Sequence, residues 1–550
     1  MQSTMMQIPL SINYCLQRGA QIYGNRRVVS RLPDRSVRST SFAATAQRAR
    51  RLAAALNTAG IARGDRVAVL MTNHAWHIEC YFGVPAVGAV YHPLNFRLSG
   101  DDIVYIINNA EDRILIIDEP FLPLYEQIKT KLRLERVIVN AFSKRARSDS
   151  FDDYEHFISA DASAPVFQAV DENEAAGLCY TSGTTGRPKG VAYSHRSTVL
   201  HSLSLSLPDV LGISAHDTIL AITPLFHANG WGIPAAAMML GANMVFPGQH
   251  TAPADLLDMM ERECVTFALG VPTIWTAVLA ALEESPERWK LTPARLMVGG
   301  SAAPPTLLKR LDQFGLRIVH GWGMTEMSPV GSISFLQPQH EEFPVEARLA
   351  IRARQGVAVP LVELRLMGEH GELPWDGKSA GELQARGPFV TGSYYRSGDG
   401  DEKFTADGWL RTGDTATRDP EGYLQIVDRK KDLIKSGGEW ISSVDLENAI
   451  MAHPDVLEAA VVAIAHPKYG ERPLAVVVKK PDHEITPEAL QQFVRPRFAR
   501  WQVPDDWVFV EALPKTSTGK FMKHKLRADY SDYVSKTPSI RTASRSDAVR

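Results

Sequence analysis

Across roughly its first 320 residues the chain alternates short apolar runs with helix-like stretches of about ten residues, and few architectures accept that order. Residues 43–57 are rich in Ala and Arg with helical spacing, and Gly60 stands where such a helix would stop. The run 67–71 follows Gly64-Asp65 as a strand entry. A helix is predicted at 101–109, with buried strands at 113–117 and 137–139. The pattern returns as strand 218–222, helix 254–262, strand 265–269, helix 272–284, strand 295–298, helix 304–314 and strand 317–319. Parallel neighbours need a crossover, and helices supply it. The order therefore predicts an α/β fold of doubly wound mixed sheets, mainly parallel, with helices on both faces.

The texture changes near Val357. Short runs at 362–367, 381–386 and 423–427, separated by Gly and Asp turns, predict a β-rich subdomain. After Asp428 comes the charged run Arg429-Lys430-Lys431-Asp432, read as a hinge, and then a smaller, mobile α+β unit. A length of 550 suggests three or four units at roughly 150 residues each, and the expected domains are 1–428 and 429–533. Residues 534–550, rich in Ser, Thr and Arg, have little to bury and are expected to form a disordered tail. Residues 143–150 read as a surface loop.

Charge and cysteine usage narrow the function classes. Lys and Arg total 60 against 62 Asp and Glu, a net charge of -2, so neither nucleic acid nor an anionic membrane is expected as the main partner. Cys15, Cys80, Cys179 and Cys264 are far apart and lack CxxC spacing, which argues against a disulfide framework or a zinc cluster and for a reducing compartment. Residues 218–254 carry no Asp, Glu, Lys or Arg, yet Pro224, Asn229, Gly230, Pro234, Gly241 and Pro247 break any membrane span. No transmembrane segment is expected there; a buried strand, loop and helix are. The first acidic residue is Asp34, after Arg18, Arg26, Arg27 and Arg31, a weak organelle-targeting alternative. Residues 8–23 mix apolar and polar groups as an ordinary helix would, so a cytoplasmic location is preferred.

The residues most suggestive of chemistry are Tyr180-Thr181-Ser182-Gly183-Thr184-Thr185-Gly186-Arg187-Pro188-Lys189-Gly190. Glycines let a backbone approach phosphate, amides and hydroxyls donate to it, and a lysine offsets its charge. It is not a Walker loop, because Pro188 precedes Lys189 and Gly190 follows it.

That string resembles the signature of the adenylate-forming (AMP-binding) enzymes, and the chain holds the rest of the pattern in order. It continues through Pro224-Leu225-Phe226-His227, Gly299-Gly300-Ser301-Ala302, His320-Gly321-Trp322-Gly323-Met324-Thr325-Glu326 and Thr412-Gly413-Asp414. It ends with Asp428-Arg429-Lys430-Lys431-Asp432, Lys435-Ser436-Gly437-Gly438-Glu439 and Pro514-Lys515-Thr516-Ser517-Thr518-Gly519-Lys520. The resemblance spans 13–526. It implies a carboxylate attacking the α-phosphorus of ATP, then transfer of the acyl group to a thiol. Lys520 resembles the lysine that reaches the reacting oxygens. Glu326 resembles a Mg²⁺ ligand, with Thr184 as a second partner. Asp414 resembles the ribose-binding acid, and Arg429 would hold ribose or phosphate. Thr181, Ser182, Gly183, Thr184, Thr185 and Lys189 would bind the phosphates. Gly300, Ser301, Ala302 and residues 320–325 would contact the nucleotide; Trp322 replaces the usual tyrosine but still offers a face to adenine. Lys431 resembles the family pivot; rotation about it would exchange Lys520 for the loop 435–439. There Lys435 is expected to assist thioester formation, and Gly437, Gly438 and Glu439 would meet coenzyme A.

His227 and Trp231 lie four apart, so on a helix they would share a face. The small apolar stretch that follows, together with 299–302, is expected to line the acyl pocket. The family uses His227 near the substrate carboxylate; Trp231 would shorten the pocket, unless it is plain core packing. Gly300 would border the substrate. The string Lys435–Ser443 most resembles fatty-acyl-CoA and methylthioalkanoate-CoA ligases. The expected partners are a small carboxylic acid, ATP and coenzyme A, with a homodimer left open. An aryl-acid CoA ligase, an enzyme loading a carrier protein and a silent nucleotide-binding protein stand as alternatives.

Overall fold

The computed structural model describes residues 1–143, 151–159, 170–181, 187–397, 402–429, 431–437, 439–481, 483–516 and 520–533. They form two compact units, one of 1–412 with 416–425 and one of 413–415, 426–516 and 520–533. The tail 534–550 and most of the loop 143–150 lie outside the described residues.

The larger unit holds two α/β sheets. In the nine-stranded one, Arg27–Arg31, Asn243–Phe246, Thr218–Ala221, Phe267–Gly270, Ala294–Val298 and Leu316–Gly323 run parallel in that spatial order. Antiparallel pairs close its edges: Val37–Ser41 at one, Val330–Ile333 and Val357–Ala358 at the other. In the seven-stranded sheet, Asp152–Asp153, Arg136–Asn140, Asp112–Asp118, Arg66–Leu70, Val90–Pro93 and Ala175–Tyr180 are parallel, and Gly190–Ser194 returns antiparallel.

The helices between the strands form for local reasons and stay for packing ones. Helix Phe42–Thr58 starts where the Ser41 hydroxyl accepts the Ala44 N–H, and Gly60, at φ +82°, follows its end. Its Ala46, Ala49, Leu52, Ala53 and Leu56 recur at helical spacing and are buried. Helix Ala75–Ala86 is buried along its whole length and touches strands of both sheets, which makes it the middle layer. On the nine-stranded sheet, Trp275, Val278 and Leu282 of Pro272–Glu284 and Leu307, Leu308 and Leu311 of Pro305–Asp312 pack with Leu220, Ala268, Leu296 and Ile318. Burying each such side chain is worth about 1.5–3 kcal/mol. On the other sheet, Ile103, Ile106 and Ile107 of Gly100–Ala110 cover Leu70, Leu115 and Ile117.

The acid-free start of the chain includes the helix Ile12–Ile22, whose Cys15 and Leu16 are buried and which packs on Ile233–Leu240. The charge-free stretch resolves into strand Thr218–Ala221, the short turn Ala228–Trp231, helix Ile233–Leu240 and strand Asn243–Phe246. Among the described residues no helix is long and apolar enough to cross a membrane.

A third, five-stranded sheet follows: Gly371–Glu372, Glu363–Gly368, Gly381–Arg386, Leu410–Arg418 and Leu424–Arg429. Its last two strands contain residues of both units. The smaller unit is α+β. Glu439–Ile441, Ile434–Ser436, Gly470–Lys479 and Val456–His466 pair in sequence, and Asp506–Phe509 lies beside Gly470–Lys479. Ser443–Met451 and Pro487–Val494 cover one face through Leu446, Ile450, Leu490 and Val494. Leu526 of Lys523–Asp529 packs on the other.

Candidate active site

The glycine- and hydroxyl-rich loop leaves strand Ala175–Tyr180 and re-enters as Gly190–Ser194. Its neck is closed twice: Thr181 N donates to Lys189 O at 2.9 Å, and Lys189 N donates to Thr181 Oγ1 at 3.1 Å. Ser182, Gly183, Thr184, Thr185 and Gly186 lie outside the described residues. Gly190 sits in tight space. A Cβ there would stand 3.1 Å from Tyr395 Cβ and 3.2 Å from Tyr180 Cζ. The segment at Tyr395 can therefore cross at backbone distance, and Tyr395 N donates to Gly190 O at 2.7 Å.

The crossing segment joins two candidate residues that are far apart in sequence. Tyr394 lies buried, with Lys189 Nζ 4.5 Å from its ring centroid. Its hydroxyl donates to Glu326 Oε1 at 2.6 Å. Glu326 sits in the single turn Thr325–Met327 and is only 5% exposed. Its carbonyl accepts from Thr391 N at 2.7 Å, and the carbonyl of Thr325 accepts from the Tyr193 hydroxyl at 2.6 Å. Ser328 Oγ donates to Phe389 O at 2.9 Å.

Strand Leu316–Gly323 runs past the predicted end at 319, through Gly321 and Gly323. Here the glycines serve close approach: a Cβ on Gly323 would fall 1.8 Å from Pro329 O, and one on Gly321 would fall 2.8 Å from Ile333 Cδ1. The pairing of Leu316–Gly323 with Val330–Ile333 bulges at Trp322/Gly323, and the Trp322 ring lies mostly buried close to Gly331. His320 is buried and its Nδ1 pairs with Ala353 O at 2.9 Å; burial lowers its pKa. Gly300, at φ +89°, and Ser301 are exposed in the loop after Ala294–Val298, and Ala302 is half-buried. Below Val330, buried His201 of helix His195–Ser206 accepts the Val330 N–H at its Nε2, 3.2 Å away.

The segment from His227 to Trp231 is not a regular helix, so the shared face that their spacing would give on a helix does not form. Ala228, Asn229 and Trp231 have φ of +42°, +51° and +58°, so the chain turns left-handed there. The His227 ring instead meets Phe226, with centroids 4.5 Å apart. Cys179, in the strand that feeds the loop, clamps this turn from both sides. Its Sγ donates to Phe226 O at 3.0 Å and accepts from Ala228 N at 3.2 Å. Burial pushes that thiol up to about 11, so it stays protonated. Trp231 packs against the buried cluster of Cys179, Val191, Tyr193, Ala228 and Tyr394, and its ring edge reaches Gly299.

In the smaller unit, Asp414 follows Gly413 on Leu410–Arg418, and Arg429 Nε stands 3.6 Å from Asp414 Oδ1. Asp428 is buried and accepts from both the backbone N–H and the hydroxyl of Ser443. Lys431 is exposed next to the undescribed Lys430. Lys435 and Glu439 occupy the hairpin Ile434–Ser436 and Glu439–Ile441, where the Lys435 ammonium lies 5.2 Å from the centroid of its cross-strand partner Trp440. Gly437 has φ +62°; Gly438 lies outside the described residues. Lys520 closes a second hairpin: Thr516 N donates to Lys520 O at 2.7 Å, and Lys520 N donates to Thr516 Oγ1 at 3.1 Å. The residues 517–519 between them are outside the described set.

The sequence pattern of the AMP-binding enzymes matches residues 16–395, and that of the AMP-binding enzyme C-terminal domain matches 445–520. The chain belongs to the AMP-binding enzyme family. A long-chain-fatty-acid–CoA ligase of Thermus thermophilus is 47% identical to it over 533 residues, 96% of this chain and 97% of that protein. A 3-methylmercaptopropionyl-CoA ligase of Ruegeria pomeroyi is 42% identical over 540 residues, 97% and 100% of the two chains. The ATP-bound MatB structure from Rhodopseudomonas palustris superposes with a TM-score of 0.79 at 26% identity, covering 95% of this chain and 99% of that one. The resemblance to the acyl-CoA synthetase branch and the α/β-plus-α+β fold are borne out. Within this AMP-binding enzyme, Tyr394, Tyr193 and Tyr395 are what sequence reasoning missed. Nothing in Ser393-Tyr394-Tyr395 signals a partner such as Glu326, 68 residues away.

Proposed function

We propose that the chain is an ATP-dependent carboxylate–CoA ligase that activates an aliphatic acid and releases AMP and pyrophosphate. One observation carries the reading: Glu326 and Lys189 converge on Tyr394 at the neck of a phosphate-type loop, in an AMP-binding enzyme. Relatives named for a long-chain fatty acid and for 3-methylmercaptopropionate support an aliphatic substrate over an aryl one.

A carboxylate is already ionised at neutral pH, so its attack needs no general base. It needs the phosphate charge offset and the reacting atoms aligned. Lys189 and the loop residues Thr181 to Thr185 hold the phosphates. Asp414 takes the ribose hydroxyls, with Arg429 beside it. Gly300, Ser301, Ala302 and residues 320–325 border the nucleotide, and Trp322 offers its face to adenine. His227 lies near the acid's carboxylate, and Trp231 bounds the acyl chain. The acid's oxygen bonds to the α-phosphorus as the bond to pyrophosphate breaks, with Lys520 meeting the reacting oxygens. The sulfur of coenzyme A then attacks the acyl carbon and AMP leaves. Lys435 assists that step, and Gly437 and Gly438 leave room for the pantetheine arm beside Glu439. The domains 1–428 and 429–533, pivoting at Lys431, would divide the two steps.

The residues fit magnesium. Glu326 is a buried single carboxylate, and no cluster of three or more His, Cys, Asp or Glu exists among the described residues. Magnesium is bound in that way, by one or two carboxylates together with substrate phosphates and water. With Thr184 as second partner, the ion would supply positive charge beside the phosphate oxygens. The four cysteines, all free, support a cytoplasmic location.

A panel of carboxylic acids with ATP, magnesium and coenzyme A, read by AMP release and pyrophosphate exchange, tests the reading. Aliphatic acids should give both signals. Exchange without consumption of free coenzyme A would favour a carrier-protein acceptor, and no exchange with any acid would favour a silent binder.

A further inference from the structure

We propose that Tyr394 is a positioning residue for the divalent cation of the nucleotide: it fixes the carboxylate of Glu326 so that one oxygen is spent on a phenol and the other is presented to the metal. The inference rests on the reading of Glu326 as the metal's carboxylate ligand.

The geometry is unusually complete for a residue outside every motif. The segment 389–395 grips the turn that carries Glu326 at three points. Ser328 Oγ donates to Phe389 O at 2.9 Å, Thr391 N donates to Glu326 O at 2.7 Å, and the Tyr394 hydroxyl donates to Glu326 Oε1 at 2.6 Å. One residue on, Tyr395 N donates to Gly190 O at 2.7 Å, so the same segment is tied to the exit of the phosphate loop. The carboxylate and the loop lysine thus share one short strap, and Tyr394 touches both: Glu326 through its hydroxyl and Lys189 through its ring face, 4.5 Å from the ammonium.

The chemistry follows from what each contact constrains. The terminal torsion of a glutamate is broad, so an unrestrained carboxylate turns freely. A hydrogen bond to one oxygen of a metal-binding carboxylate stops that rotation, and losing such a partner typically costs about 10–100-fold in metal affinity or activity. Tyr394 is 5% exposed and Glu326 likewise 5%, so water competes poorly for this bond. The ring positions Lys189 independently of the hydroxyl. The two functions of one side chain can therefore be separated by mutation.

The test measures binding as well as turnover. ATP is titrated calorimetrically into the full-length protein in EDTA and in excess magnesium, and the metal-linked gain in affinity is the ratio of the two constants. Tyr394→Phe should cut the gain about 10-fold or more while leaving metal-free ATP affinity within about twofold. Glu326→Asp, which withdraws the carboxylate from the phenol, should lose a similar share, and the double variant should lose little more. Glu326→Gln should abolish the gain. A Tyr394→Phe enzyme with the full gain, beside a Glu326→Gln enzyme without it, would overturn the proposal and leave the ligand reading intact. A full gain in Glu326→Gln would overturn both.

Discussion

The Trp231 indole lies edge-on to Gly299, its Cη2 3.3 Å from where a Cβ on that glycine would be. A bulky ring meets a residue without a side chain, and the same ring packs on the buried cluster that includes Tyr394. If Trp231 bounds the acyl chain as proposed, Trp231→Ala should lengthen the pocket. The ratio of kcat/KM for long over short acids should rise about 10-fold or more, since one methylene in an apolar pocket is worth about 1–3 kcal/mol. A chain-length profile unchanged in a destabilised Trp231→Ala would mean the ring is core packing only.

Two lysines on separate hairpins of the smaller unit are assigned separate half reactions. Lys520→Ala should slow acyl-adenylate formation by about 10²–10³-fold, the usual loss for one electrostatic contact to a transition state. Thioester formation from supplied acyl-adenylate should survive it. Lys435→Ala should give the reverse pattern. Measuring both halves for both variants decides; equal losses in the two halves would reject the division of labour.

Glycines near the site differ in what they exclude. On Gly323 a methyl group would fall 1.8 Å from Pro329 O, whereas on Gly392 it would meet nothing within 4 Å. Gly323→Ala should cost about 3 kcal/mol in stability. Gly392→Ala, in the strap beside Tyr394, should stay within about 0.5 kcal/mol of wild type. Denaturant midpoints of the pair provide the comparison.

Burial holds His201 neutral down to about 3, against the ordinary 6.5. As pH falls below 6.5 the unfolded chain takes up a proton that the native state refuses. Stability from this group is complete above 6.5 and is lost between 6.5 and about 3, at about 1.4 kcal/mol per pH unit. His201→Gln retains an acceptor for the Val330 N–H without titrating. Between pH 7 and pH 5 it should lose about 2 kcal/mol less stability than wild type. Buried His77 and His195 titrate equally in both proteins and cancel.

Much of this architecture could be read from residue order because local and tertiary signals agree. The helix predicted at 272–284 is Pro272–Glu284, with proline in its first turn and Trp275, Val278 and Leu282 on its buried face. The failures share a cause. The strand predicted at 317–319 runs on to Gly323, where Gly321 and Gly323 admit Ile333 and Pro329 at close range. His227 and Trp231 have helical spacing, but Gly230 and Gly232, both at positive φ, mark a turn that spacing alone overlooks. Tyr394 was invisible because its role consists of contacts made by the fold.

Three main-chain bonds frame the neck of the loop and the turn of Glu326: Thr181 to Lys189, Tyr395 to Gly190 and Thr391 to Glu326. Amides and carbonyls carry no net charge for ions to screen and no proton to gain near neutrality. Ionic strength should thus tune the attraction for the proposed triphosphate while leaving this main-chain frame unmoved.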